Sequence, residues 1–348
     1  MALQLLPDDL GRWAEQLSQA KNGKWIRRAL EVLVRLAGTD VDRLDWKILT
    51  AALEDLEQGF QVFAPYRHIR KVSFFGSARL SPQTAEYRLA AELARLLSQH
   101  GFMTITGAGG GIMQAGNEGA GRANSFGLNI QLPFEQGANA CIEGDSKLID
   151  FKYFFTRKLF FMRESDAIVF FPGGFGTQDE AFECLTLCQT GKGGPVPIVL
   201  IDKPGGTYWQ AWNDYLRQHL IANQLIGPHD TDIFTVVDSA ERACKAIQDF
   251  YRVYHSSRYV GETLVIRLNQ PLSDRDTDKL NAEFSDILVD GKIAKSNALP
   301  QEARDATASL PRLTLHFNQR DLGRLYGLIR ELNRLGAATA SASHPERK

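Results

Sequence analysis

Between residues 71 and 254 short β-rich runs alternate with helical stretches, and this alternation restricts the chain to one class of fold. The β-rich runs lie at 72–75, 102–106, 126–131, 167–171, 196–201 and 233–237. Apolar residues at helical spacing fill 84–99, 112–122, 207–223 and 240–254 between them. Strands alternating with helices predict a parallel sheet covered on both faces, a Rossmann-like, doubly wound α/β domain over residues 66–255. With 44% apolar residues in 348, there is also enough to bury for flanking units. Residues 1–65 carry helical periodicity without a chemical motif and read as a helical preface. Residues 256–336, with alternating runs at 264–268 and 313–317, read as a small α+β appendage. Its middle, 297–309, is small and polar and is expected to be mobile, and the tail 337–348 is expected to be disordered.

Three of the strands end in small or glycine-rich loops: Gly76-Ser77-Ala78-Arg79, Gly107-Ala108-Gly109-Gly110-Gly111 and Pro172-Gly173-Gly174-Phe175-Gly176-Thr177. Ligands of open α/β sheets bind outside the carboxyl ends of the strands, so these loops are expected to meet in one crevice. The third loop leads into a helix expected over 178–188. A strand, a glycine loop and a helix N-terminus in succession make an anion site, because the backbone lets a guest approach and free N–H groups point at it. The expected guest is a phosphate. Glu180 then falls in the first helical turn, where the helix dipole is expected to keep it ionised. It would repel a phosphate, so it is assigned to a neighbouring part of the ligand.

The loop at 107–111 fails the dinucleotide fingerprint, since G-x-G-x-x-G requires glycine where Ile112 stands, and G-x-x-x-x-G-K-[ST] is absent. A mononucleotide is favoured. Arg157 and Lys158 lie on a helical stretch that Phe151, Phe154, Phe155, Phe160 and Phe161 are expected to bury. A partly buried arginine needs an anion or acceptor, and the pocket beside Glu180 supplies one.

Other classes are disfavoured. Lys and Arg number 40 against 41 Asp and Glu, a formal charge of -1, which gives no field for nucleic acid or an anionic membrane. No signal peptide or membrane-spanning stretch is visible, so a cytoplasmic protein is expected. Cys141, Cys184, Cys188 and Cys244 are expected to be reduced thiols. Cys184 and Cys188 are one helical turn apart but lack a second ligand pair, and the histidines show no ligand spacing. Neither a metal nor a cofactor is expected. Ser77 and Thr177 have no histidine in a motif with them and are expected to donate hydrogen bonds rather than attack.

Laid out in this way, the chain resembles the Lonely Guy family of phosphoribohydrolases, whose signature P-G-G-x-G-T-x-x-E is met in full from Pro172 to Glu180. An Arg-Lys pair precedes it at the family's spacing, at Arg157 and Lys158. The resemblance runs over about 72–254, through Gly-Gly-Gly-Ile-Met-Gln-Ala-Gly-Asn-Glu-Gly-Ala at 109–120 and Leu-Asn-Ile-Gln-Leu-Pro-Phe-Glu-Gln at 128–136, and is greatest to the longer bacterial members. Residues 1–65 and 256–348 have no counterpart in the short members. Phe161 stands where those members have methionine. Proteins of this family have often been labelled lysine decarboxylases, a label the sequence does not support, since Lys158 lacks the setting of a Schiff-base lysine.

The resemblance implies hydrolysis of the N-glycosidic bond of a nucleoside 5′-monophosphate, AMP or an N6-modified AMP, to free base and ribose 5-phosphate. Arg157 and Glu180 are then the catalytic pair. Gly173, Gly174, Gly176 and Thr177 would grip the phosphate, with Gly109, Gly110, Gly111, Met113, Ser77 and Lys158 completing the nucleotide pocket and Asn117 and Glu118 as weaker members. It also implies a homodimer. The alternative is a carrier or sensor that binds a nucleotide or molybdenum cofactor on the same fold without cleaving it.

Overall fold

The computed structural model describes residues 16, 17, 19–131 and 137–342. The chain forms two compact units, 1–57 and 58–348. The first holds helix α1 (Gly23–Ala37) and most of α2 (Arg43–Phe63).

In the second unit seven parallel strands make one sheet: β1 (Lys71–Phe75), β2 (Met103–Thr106), β3 (Ser125–Ile130), β4 (Leu148–Phe151), β5 (Ala167–Phe170), β6 (Ile198–Ile201) and β7 (Phe234–Val237). Their order is β4-β3-β2-β1-β5-β6-β7. Every residue of β1, β2, β5 and β6 is buried, which is why these strands are continuous apolar runs rather than alternating ones. Strand β4 escapes the sequence pattern because it is short and exposes Asp150 between buried Ile149 and Phe151.

Side-chain alternation divides the core into two layers. Val72, Phe74, Val169, Phe171, Val199 and Ile201 pack under α3 (Ala85–Gln99), α4 (Ile112–Ala120) and α8 (Ala240–Phe250). Phe75 and Phe170 stack on the other face, where they meet Phe161 of α5 (Phe154–Glu164) and Trp209 of α7 (Tyr208–Tyr215). Thr84 starts α3 as its N-cap, its hydroxyl accepting from the Tyr87 N–H at 3.3 Å. The chain builds outward from β1 to β4, returns to the centre at β5 and builds the other way. The reversal therefore lies between β1 and β5, and the loops after these two strands diverge there and leave a crevice.

The appendage has four antiparallel strands, not the two that the apolar pattern shows: β8 (Tyr254–Val260), β9 (Thr263–Leu268), β10 (Leu288–Ser296) and β11 (Arg312–Phe317), in the order β10-β11-β9-β8. Strands β8 and β10 are mostly surface and carry no continuous apolar run. Helices α9 (Asp274–Glu283) and α10 (Leu322–Ala342) complete it. The expectation of a mobile middle is corrected. Glu302, fully buried, accepts from Arg267 Nε at 3.1 Å and Arg312 Nε at 2.9 Å, and Arg312 Nη2 donates to the Thr307 carbonyl at 2.9 Å. An ion cluster orders what the polar composition made look loose. The tail expectation is corrected in part, since α10 runs through Ala342; residues 343–348, like 132–136 of the resembling segment, lie outside the described residues. Among the described residues no helix is long and apolar enough to cross a membrane.

Candidate functional site

The three glycine loops meet at the reversal, joined by their backbones. The Ser77 N–H donates to the Pro172 carbonyl at 3.1 Å, and the Ser77 carbonyl accepts from the Ile112 N–H at 3.1 Å. Ser77 thus links the loop after β5 to the start of α4. Gly111 makes the junction possible: its φ is +61°, and a Cβ there would come 2.2 Å from the Ser77 oxygen. Met113 lies along the same loop, where a Cβ on Gly107 would meet its Sδ at 2.6 Å and one on Gly109 its Cε at 2.7 Å. Ala108 adopts φ +63° in this loop, a conformation unusual for a residue with a side chain.

Two helix N-termini converge here, α4 after Gly111 and α6 (Phe175–Gln189) after Gly174, and neither is capped by a side chain. In α6 the Gln178 N–H donates to the Gly174 carbonyl at 3.1 Å, which leaves the preceding N–H groups at the open helix end. A Cβ on Gly174 or Gly176 would meet nothing within 4 Å. Phe175 is 97% exposed, so its ring does not fill the loop. Open space, free amides and the positive helix end suit a phosphate. Thr177 is buried, and its Oγ1 lies 2.1 Å from where a Gly173 Cβ would be, so its hydroxyl sits directly beneath the loop.

Helix α6 begins three residues earlier than the sequence suggests, which moves Glu180 into the second turn. There it shares a face with Gly176 and Thr177 and is 6% exposed. Burial pushes its carboxyl up to about 7, against the downward pull of Lys158 and Arg157 and with added upward push from Asp179 and Glu183. The expectation that the helix dipole keeps Glu180 fully ionised is therefore corrected: desolvation outweighs it. Glu180 Oε2 is buried and has no hydrogen-bond partner among the described residues.

Arg157 projects from α5 across to the second loop. Its Nη1 would be 3.8 Å from a Cβ on Gly107, and its guanidinium lies over the rings of Phe154 and Phe161 at 5.0 and 5.8 Å. Phe151, Phe160 and Phe161 are buried as expected, whereas Phe154 and Phe155 are exposed. Lys158 is ion-paired with Asp179 at 2.7 Å and with Glu183. Although burial opposes its charge, those carboxylates and Glu180 raise its pKa, so it remains an ammonium and suits no Schiff base.

The sequence missed the supports behind the loops. Asn139 donates from Nδ2 to the carbonyls of Ala108 and Gly109 at 2.9 and 3.0 Å and to Asn117 Oδ1 at 3.0 Å. Asn117, fully buried, also accepts from Thr106 Oγ1 at 2.7 Å, so it braces the second loop from within. Glu118 is exposed and accepts from the Tyr87 hydroxyl at 2.6 Å on the neighbouring helix. Tyr208 donates its hydroxyl proton to the Gly173 carbonyl at 2.6 Å and accepts from Gln178 Nε2 at 2.6 Å; its own N–H is held by Asp202 Oδ2 at 2.8 Å. Glycines at 205 and 206 ahead of Tyr208 were the one available signal. All four cysteines are unbridged, and no cluster of three or more His, Cys, Asp or Glu able to hold a metal occurs among the described residues.

Residues 111–247 match the family model described as possible lysine decarboxylase. Among curated proteins none matches. A molybdenum cofactor binding protein from the phototrophic bacterium Rippkaea orientalis is similar at 19% identity over 52% of this chain and 96% of its own, with a TM-score of 0.38. The molybdenum cofactor carrier protein from Chlamydomonas reinhardtii is similar at 18% identity over 52% of this chain and 97% of its own, TM-score 0.37. DNA processing protein A from Helicobacter pylori is similar at 14% identity over 51% and 80%, TM-score 0.36. The family match runs from Gly111 at the start of α4 through Pro172–Glu180 into α8, so Arg157, Lys158 and Pro172–Glu180, which carry the Lonely Guy resemblance, all lie within it.

Proposed function

We propose that the chain is a nucleoside 5′-monophosphate phosphoribohydrolase, which hydrolyses the N-glycosidic bond of AMP or an N6-modified AMP. Glu180 carries the reading: a buried carboxyl with an unpartnered oxygen and a pKa near neutrality, on the same helix face as the phosphate loop. A site that only holds a phosphate has no use for such a group. The 5′-phosphate rests on the amides at the starts of α6 and α4, and this remote binding energy positions the ribose. Cleavage builds positive charge on the sugar, which ionised Glu180 stabilises while it holds the attacking water. At neutral pH Glu180 is poised between its two forms and can accept that water's proton. Arg157 orients the nucleotide and donates a hydrogen bond to the departing base. Lys158, engaged by Asp179 and Glu183, tunes Glu180 rather than gripping the phosphate.

Exposed Phe154, Phe155 and Leu159 on α5, beside Arg157 and Lys158, support a homodimer in which a second copy covers this face. Light scattering checks it.

The test is to incubate the protein with AMP, other nucleoside monophosphates and N6-isopentenyl-AMP and to measure free base and ribose 5-phosphate. Glu180→Gln and Arg157→Ala should each lower base release by about a hundredfold or more. Retention of intact nucleotide in native mass spectra without base release would favour the carrier reading instead.

A further inference from the structure

A cavity of about 290 Å³ lies between the start of β6, helix α8 and the appendage helix α10, whereas Glu180 lies beyond the end of β5 on α6. Its size is near the lower end of the range for small-molecule sites, about 300 Å³. The floor is apolar, made by buried Ile198, Ile233 and Phe250. The wall from α10 presents Tyr326, Arg330, Asn333 and Arg334, spaced so that they share one helix face.

That face is unusual for a docking helix. Asn333 makes the joint, donating to the Phe250 carbonyl at 2.7 Å and accepting from the Val253 N–H at 2.7 Å, and Tyr326 hydrogen-bonds to Val196 at 3.2 Å. Arg330 and Arg334 stand exposed at the mouth with Arg252. Arg330 reaches Asp232 Oδ1 at 3.1 Å and the Asp232 carbonyl at 2.9 Å, Arg252 pairs with Asp249, and Arg334 pairs with Glu331 outside the lining. Three arginines against two aspartates leave the lining positive, and a guanidinium has five N–H donors, more than these contacts use.

We infer that this cavity is a second binding site, separate from the nucleotide crevice, for a small organic anion with an apolar body. The body fills the space over Ile198, Ile233 and Phe250, and a carboxylate at its end meets Arg252, Arg330 and Arg334. An inorganic anion leaves the apolar floor wet, and a neutral apolar molecule leaves unused the guanidinium N–H donors that the aspartates and Glu331 do not take. The inference stands independently of the nucleotide reading.

Calorimetric titration of the full chain with hexanoate, 4-phenylbutyrate and indole-3-acetate tests it, with inorganic phosphate and 4-phenylbutan-1-ol as comparisons. At least one carboxylate should bind at one site per chain, about tenfold or more tighter than the alcohol or phosphate. Arg252→Ala combined with Arg334→Ala changes only exposed side chains and should weaken that binding about tenfold. Ala246→Phe, which fills the lining from α8, should remove it, with the melting temperature showing whether the fold is kept. Saturating AMP should leave the binding unchanged. The inference is overturned if no carboxylate binds, if alcohol or phosphate binds as tightly, if the double arginine variant binds like wild type, or if AMP displaces the carboxylate.

Discussion

The Tyr208 hydroxyl donates to the Gly173 carbonyl at 2.6 Å, so the first residue of α7 fixes the loop that opens α6. Gly173 is the glycine packed on Thr177 and beside Ser77, and the bond therefore holds the phosphate cradle at the point where the loops meet. Tyr208→Phe keeps the ring and deletes the donor. A net hydrogen bond is worth about 1 kcal/mol, so KM for AMP should rise about fivefold while kcat moves less. Steady-state measurement of base release gives both numbers.

Glu180 sets a pH dependence. Its pKa of about 7 predicts that base release rises with pH and levels off above neutrality, as the ionised form becomes complete. The Arg157 charge pulls that pKa down, so in Arg157→Ala the remaining activity should rise at higher pH than in wild type. A pH profile of kcat/KM in which both proteins rise together would contradict this assignment.

The same carboxyl affects stability in the opposite direction. Its folded pKa lies above the ordinary value of 4.5, so the folded state holds a proton that the unfolded state releases. Its stabilising contribution is complete below 4.5 and is lost as pH rises through about 7. Glu180→Gln is neutral at every pH and should melt higher than wild type above neutrality, with the gap closing in acid. Thermal melts at several pH values measure it.

Two glycines separate packing from ligand approach. Gly111→Ala places a Cβ against the Ser77 carbonyl at positive φ and should cost about 3 kcal/mol or more of stability. Gly174→Ala meets open space at negative φ and should leave stability within about 0.5 kcal/mol, yet weaken AMP binding by crowding the helix end. Urea unfolding beside AMP titration distinguishes the two.

In the appendage, Glu302→Gln leaves the buried Arg312 guanidinium without its carboxylate and Arg267 with Asp305 alone. Breaking a buried ion cluster from one side costs about 3–5 kcal/mol. Protease cleavage should appear within 297–309, and the wild-type chain should resist at the same sites.

The sequence by itself determined what depends on short-range order. Its alternation of apolar runs dictated the parallel sheet, the glycines marked three strand-to-helix loops, and Pro172–Glu180 with Arg157 marked the crevice, because each signal is contained in a few neighbouring residues. Strands that lie mostly at the surface, such as β8 and β10, lacked that signal. Only the tertiary structure decided how the crevice is held and charged. Asn139 and Tyr208 reach the glycine loops across 31 and 35 residues of chain. Lys158 is claimed by Asp179 and Glu183, and Glu180 is shifted toward neutrality. Desolvation sums over every atom that displaces water from a group, and those atoms come from helices and loops brought together only by folding.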